Sequence, residues 1–145
     1  MLKDVAKEYY LGRGLNCAES IFLASNKYYN LGLDESIVEV VTAFGGGMGC
    51  GRTCGALCGA LAILGRMVHM EKEPFHEACT KLITDYEKTL GTSTCEELKA
   101  RYKTEEERCF KTVELSADIF EKFIEEIAPE YKKSVSYTHL DAADE

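Results

Sequence analysis

Cysteine and glycine recur together in segment 45–59 of this chain, which reads GGGMGCGRTCGALCG. Two series in it repeat every fourth residue: Cys50, Cys54 and Cys58, and Gly51, Gly55 and Gly59. Residues four apart share one face of an α-helix, so the pattern predicts a stripe of thiols beside a stripe of bare backbone. Thiolates bind metals and attack disulfides, and glycines let a second helix approach closely. The segment therefore indicates metal or redox chemistry beside a tightly packed helix face.

Three of the seven cysteines directly follow residues that are typical helix N-caps. The pairs are Asn16–Cys17, Thr53–Cys54 and Thr94–Cys95. Glu19 and Glu97 stand three residues after the first and third cap, as in a capping box. A helix start offers free N–H groups and partial positive charge, which stabilise a thiolate. We therefore expect a lowered pKa for these thiols.

Cys109 is less clearly placed by the sequence. Thr104 and Glu107 form another possible capping box, which would put Cys109 one turn into the last helix. Its glutamate-rich surroundings disfavour a thiolate unless a metal or Arg108 compensates. No C-x-x-C motif occurs, so thioredoxin-type, zinc-ribbon and compact ferredoxin spacings are absent. Converging helix starts would bring sulfurs together from four segments, but spacing alone leaves that convergence open.

The glycine loop offers backbone N–H groups at Gly46, Gly47 and Gly49 that can solvate a thiolate or cluster sulfides, as anion-binding nests do. A phosphate site is disfavoured, because the loop lacks the lysine of a P-loop and follows an apparent helix. A tight turn between helices is the simplest alternative. His69 and His76 lie near acidic residues, but solvent exposure is the better interpretation for both.

Helical periodicity dominates the chain, which predicts an all-α, compact single-domain bundle of about five to seven helices with a glycine-rich loop before the central helix. The expected helices cover about 3–11, 17–32, 35–44, 54–67, 74–90, a short segment after 94, and a last one ending before Pro129. The domain is expected to span 1–133. Residues 134–145 continue neither periodicity nor core pattern and are predicted to be a disordered or non-native tail.

Composition narrows the classes of function. The net charge of −8 and the lack of a basic run argue against nucleic acid or an anionic membrane surface as the main partner. The first residues do not resemble a signal peptide, and no apolar run reaches membrane-spanning length, so no membrane insertion and a cytoplasmic location are expected. An odd number of cysteines favours metal or redox chemistry over a disulfide framework, with Cys58 and Cys79 as candidate core residues.

Three motifs carry a family resemblance: NCAES at 16–20, FGGGMG at 44–49 and CGALCGA at 54–60, followed by two later cysteines. The chain resembles the C_GCAxxG_C_C family over essentially 1–133. The resemblance implies a small, helical, redox-active protein whose family cysteines fall here on Cys17, Cys54, Cys95 and Cys109. Similar domains are joined to certain multihaem cytochromes, where the cysteines are associated with an iron–sulfur cluster. Cys50, Cys58 and Cys79 are additional to the family pattern.

Three hypotheses follow. The first is an iron–sulfur protein for electron transfer or redox sensing, with the four family cysteines as ligands, a [2Fe–2S] cluster as the candidate cofactor and an unidentified redox partner protein. The second is a thiol–disulfide oxidoreductase in which Cys54 attacks. The third is an interaction module built around structural zinc. The glycine stripe suits a homodimer interface as well as an internal contact.

Overall fold

The computed structural model describes residues 1–131, and helices make up most of that segment. The six α-helices are α1 (Leu2–Lys7), α2 (Cys17–Tyr28), α3 (Gly55–Met67), α4 (Lys72–Leu90), α5 (Cys95–Tyr102) and α6 (Phe110–Ile127). Between residues 1 and 131 there is no β-strand, only two isolated bridges. The all-α prediction is therefore confirmed. The predicted tail at 134–145 lies outside the described residues.

The core forms where α2 packs on α3 and α6 closes over both helices. Ile21 of α2, Leu57 and Ile63 of α3, and Phe120 and Phe123 of α6 are essentially inaccessible to solvent. Burying each such side chain contributes about 1.5–3 kcal/mol relative to leaving it exposed. This packing fixes the beginning of α3 next to the beginning of α2. In residues 1–131 no helix is long and apolar enough to cross a membrane.

Two glycines let α2 and α3 approach closely. A Cβ atom at Gly59 would lie 2.5 Å from the Ala18 carbonyl oxygen, and one at Gly55 would lie 2.5 Å from Cys17 Sγ. The predicted close approach to the glycine face is thus confirmed, and α2 is the element that packs there. The three cysteines do not form one helical stripe, because α3 begins only at Gly55. Cys54 is its N-cap, and Cys50 lies in the preceding loop.

Glu35–Phe44, which was expected to be an α-helix, is a 3-10 helix capped by Asp34. Its period of three residues places Ile37 and Val40 on one face, and their side chains are 42% and 66% exposed. Val41 lies on the inner face and is buried. The sequence indicated an apolar face for this segment, but the tighter helix turns two of those side chains outward.

The boundaries of two other helices also differ from expectation. α2 ends at Tyr28, before Gly32. α6 begins at Phe110 with Cys109 as its N-cap, so Cys109 does not lie one turn inside the helix. The reason is that Thr104 and Glu107 form a separate turn before α6, in which Thr104 Oγ1 accepts a hydrogen bond from the Glu107 N–H at 3.0 Å. That shift moves Cys109 to a helix start.

Candidate functional site

Four cysteines from four separate segments line one cavity of about 150 Å³. They are Cys17 at the first residue of α2, Cys54 before α3, Cys95 at the first residue of α5 and Cys109 before α6. Each stands within one residue of a helix start, so four helix N-termini surround the cavity. The structure brings together all four cysteines that were predicted as metal ligands, and their role as ligands stays a prediction.

Cys17 is placed by a complete capping box at the start of α2. The Glu19 N–H donates to Asn16 Oδ1 at 2.8 Å, and the Asn16 N–H donates to Glu19 Oε1 at 2.9 Å. Asn16 Nδ2 also donates to the Thr42 carbonyl at 3.0 Å, which ties the end of the 3-10 helix to this turn. The backbone N–H of Gly46 donates to the Cys17 sulfur. The cap therefore holds the sulfur and the glycine loop together.

Cys54 and Cys95 are held side by side by a short antiparallel bridge between Thr53 and Thr94. Two hydrogen bonds flank the bridge, from the Cys54 N–H to the Ser93 carbonyl (2.8 Å) and from the Cys95 N–H to the Arg52 carbonyl (2.6 Å). The segments before α3 and α5 are thus locked in register although they are about forty residues apart in sequence. No local pattern predicts this pairing.

Cys109 is anchored through Tyr10. The Cys109 N–H donates to Tyr10 Oη at 3.0 Å. The guanidinium of Arg108 stacks 4.1 Å from the centre of the Tyr10 ring and donates to the Tyr10 carbonyl at 2.6 Å. Arg108 adopts a positive φ of 53°, which turns the chain sharply before Cys109. All three residues line the cavity.

The three predicted glycines occupy different positions relative to the cavity. Gly46 lines it. Gly47 lies behind Cys95, where a Cβ atom on the glycine would come within 2.7 Å of the cysteine Cβ. Gly49 has open space around it and is not among the lining residues. Gly46 is therefore the glycine best placed to contact a bound group.

The remaining cysteines and the two central histidines lie elsewhere. Cys50 is exposed, and Cys58 and Cys79 are half-buried; none of them lines the cavity. His69 and His76 are exposed, as the sequence interpretation expected. These residues therefore do not extend the four-cysteine site.

Burial raises the pKa of the three thiols for which lowered values were expected, those of Cys17, Cys54 and Cys95. For Cys54 the burial effect exceeds the lowering by a hydrogen bond from Tyr86 and by two backbone N–H groups of the first turn of α3. Burial likewise raises the pKa of Cys17 and of Cys95, although the Lys99 charge opposes the effect at Cys95. Helix-start donors are present as expected, but desolvation outweighs them.

Polar side chains besides the cysteines surround the sulfurs, and of these the sequence singled out only Arg108. The Tyr86 hydroxyl lies 3.0 Å from Cys54 Sγ and is positioned to donate to it. The Thr112 hydroxyl is buried and, within the described part of the chain, has no hydrogen-bond partner. Lys99 and Arg108 add positive charge to the lining. Tyr86 and Thr112 lie on regular helices, where nothing in the local sequence marks them.

The cavity is larger than a single metal ion needs. A cavity of about 10–15 Å³ holds one water molecule, and the volume of this cavity, about 150 Å³, is roughly ten times larger. Across residues 1–131, no group of three or more His, Cys, Asp or Glu side chains is arranged to hold one metal ion. The sulfurs thus line a common space without gathering around one point. A polyatomic group that accepts hydrogen bonds fits this arrangement, because Thr112 supplies an unused donor.

Comparison with known proteins gives one match. A family model described as "Putative redox-active protein (C_GCAxxG_C_C)" matches residues 15–123, which include all four cavity cysteines. No curated protein and no solved structure matches the chain.

Proposed function

This chain belongs to the C_GCAxxG_C_C family, and on that premise we propose that it binds an iron–sulfur cluster through Cys17, Cys54, Cys95 and Cys109. The cluster would serve electron transfer or redox sensing with a partner protein. The observation that carries the proposal is the common cavity, which all four sulfur-bearing residues line and which exceeds the space for one ion. When bound, a cluster of this kind accepts and releases single electrons.

The charges around the cavity support an anionic occupant. Four cysteine thiolates together with bridging sulfides carry a net negative charge that a buried site must offset. Lys99 and Arg108 line the same cavity, and four helix starts contribute partial positive charge. The residues of this chain would hold the group, orient its sulfur ligands and balance its charge.

The structure supports thiol–disulfide exchange less well. In thiol–disulfide exchange, the attacking cysteine must be a thiolate and must be able to reach the disulfide bond of its substrate. The Cys54 side chain is only 3% exposed, and burial raises its pKa. Structural zinc would require the four sulfurs to close around one point, which they do not do within residues 1–131.

Anaerobic purification followed by iron, sulfide and zinc analysis tests the proposal. We expect a coloured protein with iron and acid-labile sulfide. Variants with a single Cys→Ser substitution at any of the four proposed ligands should lose most of the iron and the sulfide. The Cys79→Ser variant should retain the iron and the sulfide, because Cys79 lies outside the cavity.

A colourless, iron-free protein from iron-replete cells would contradict the proposal. Stoichiometric zinc without sulfide would identify a structural zinc site. A metal-free protein whose Cys54 alkylates rapidly at neutral pH would identify a thiol enzyme instead.

A further inference from the structure

Tyr86 brings a hydroxyl group to the site from the middle of α4. Its side chain is 1% exposed, and its Oη atom lies 3.0 Å from Cys54 Sγ and 2.8 Å from Ser116 Oγ. The contact joins α4, α6 and the start of α3. The Cys54 backbone is held independently of Tyr86, since its N–H donates to the Ser93 carbonyl and its carbonyl accepts from the Cys58 N–H.

The hydrogen-bond partners of Tyr86 allow it to donate to Cys54 when Cys54 is a metal ligand. The Ser116 hydroxyl can donate to the Thr112 carbonyl at 2.6 Å, which only accepts. Tyr86 carries one hydroxyl hydrogen and has two neighbours that can receive it, Ser116 Oγ and Cys54 Sγ. A metal-bound sulfur has no hydrogen and can only accept. When Tyr86 donates to the sulfur, Ser116 can donate its single hydrogen to the phenol oxygen in place of the Thr112 carbonyl.

We propose that Tyr86 is a positioning residue that donates a hydrogen bond to the Cys54 sulfur while that sulfur ligates the cluster, and thereby raises the cluster's reduction potential. The inference rests on the proposed function. Reduction adds one electron and increases the negative charge on the sulfurs, so a donor at Cys54 stabilises the reduced state more than the oxidised state. Tyr86 keeps its proton, and the electron comes from the external reductant.

The location of the hydrogen bond makes it effective. Tyr86 is buried beside a sulfur that is itself buried, and water cannot replace the phenol there without entering the core. In such a low-dielectric setting a hydrogen bond to a charged group is stronger than at the surface. Because the bond is present in both redox states, only the difference between its strengths in the reduced and the oxidised state shifts the potential.

The test is a redox titration of the cluster-loaded protein, with dithionite as the reductant. Tyr86→Phe keeps the ring and removes only the hydroxyl. We expect a more negative midpoint potential, by about a tenfold change in the one-electron equilibrium, or about 59 mV. Tyr131→Phe is the matched control, because it removes a tyrosine hydrogen bond to the Met67 carbonyl and its ring does not line the cavity. Its potential should equal that of the unmodified protein.

A second variant tests the inference if the Tyr86→Phe protein folds poorly or loses its cluster. Placing 3-fluorotyrosine at position 86 keeps the ring and the hydroxyl but makes the phenol a stronger donor, so the potential should become more positive. An unchanged potential in a cluster-loaded Tyr86 variant would overturn the inference and leave the proposed function standing. Failure of the unmodified protein to bind iron and sulfide would overturn the proposed function, and this inference with it.

Discussion

At the scale of single residues, the site shows two opposing effects on a thiol. Cys54 receives hydrogen bonds from Tyr86 and from the backbone at the start of α3, and all of them favour the thiolate. Its side chain is also buried, and burial favours the neutral thiol more strongly. Without a metal, the thiol therefore stays protonated near neutral pH. A metal supplies the missing charge, and its binding should release protons.

Alkylation of the metal-free, reduced protein should distinguish Cys50 from Cys54. Cys50 is exposed, whereas Cys54 is 3% exposed and has a raised pKa. We expect iodoacetamide at neutral pH to label Cys50 faster by at least about tenfold, because Cys54 is shielded from the reagent and its raised pKa keeps it protonated. Mass spectrometry of timed digests measures both rates in one sample. Equal rates would show that Cys54 is accessible and ionised.

Thr112→Val should affect the metal-free and the loaded protein differently. In the metal-free protein the buried hydroxyl has no partner within residues 1–131, so we expect its removal to leave the free energy of unfolding unchanged or raise it by about 1 kcal/mol. In the loaded protein the cluster should lose a donor and dissociate faster. Urea unfolding and the rate of iron loss to a chelator measure the two effects. A clear loss of stability in the metal-free variant would show that the hydroxyl already has a partner there.

At the scale of secondary structure, two similar sequence patterns have different outcomes. Asn16 and Glu19 form the predicted capping box, but Thr94 makes no side-chain cap bond. Thr94 is instead held by its backbone bridge to Thr53. The first pattern is satisfied by local contacts, whereas the second is overridden by a pairing with a distant segment.

Removing the two cap side chains should therefore have unequal costs. Asn16→Ala loses the cap and the hydrogen bond to the Thr42 carbonyl, and we expect a cost of about 1–2 kcal/mol. Thr94→Ala should cost less than about 0.5 kcal/mol, because only the side chain is removed and the backbone bridge remains. Urea unfolding of both metal-free variants gives the comparison. Similar costs would mean that Thr94 caps α5 in solution.

Two glycines of α3 offer a matched pair for the packing argument. A Cβ atom at Gly59 would meet the Ala18 carbonyl oxygen at 2.5 Å, whereas at Gly65 the nearest atom is Phe75 Cζ at 4.0 Å. Gly59→Ala should destabilise the protein by about 1–3 kcal/mol because α2 must move away. Gly65→Ala should stabilise it by up to about 1 kcal/mol through helix propensity. Thermal unfolding of both variants measures these shifts. Stabilisation by both substitutions would contradict the close approach of α2.

At the scale of the whole molecule, the sequence predicted the helical class and three of the four helix-start cysteines from local patterns. The residues alone left the placement of Cys109 open, because the separate turn at Thr104 resembles the start of a helix. The convergence of the four cysteines depends on the pairing of 53 with 94 and on the contact of Cys109 with Tyr10. Such contacts between distant segments leave no periodic signal. Tyr86 was missed for the same reason.

The buried thiols and phenols should together make the metal-free protein sensitive to alkali. Burial raises the pKa of the thiols of Cys17, Cys54 and Cys95, and it also raises the pKa of the buried phenols of Tyr29 and Tyr86. An unfolded cysteine loses its proton near pH 8.5, whereas the folded thiol keeps it to a higher pH. Above that pH the folded state therefore binds more protons, so stability falls as pH rises.

Each such thiol should lower the free energy of unfolding by up to about 1.4 kcal/mol per pH unit between its unfolded and folded pKa. Urea unfolding of the reduced, metal-free protein at several values between about pH 8 and pH 10 measures this slope. Cys54→Ala should show a shallower slope, since one titrating thiol is gone, whatever its stability at neutral pH. In the loaded protein the proposed ligand thiols hold no proton, whereas the unfolded cysteines still bind protons at about pH 8, so the alkaline loss of stability due to these thiols should be absent. A midpoint that stays constant or rises over this range would mean that the thiols are accessible to water in the folded protein.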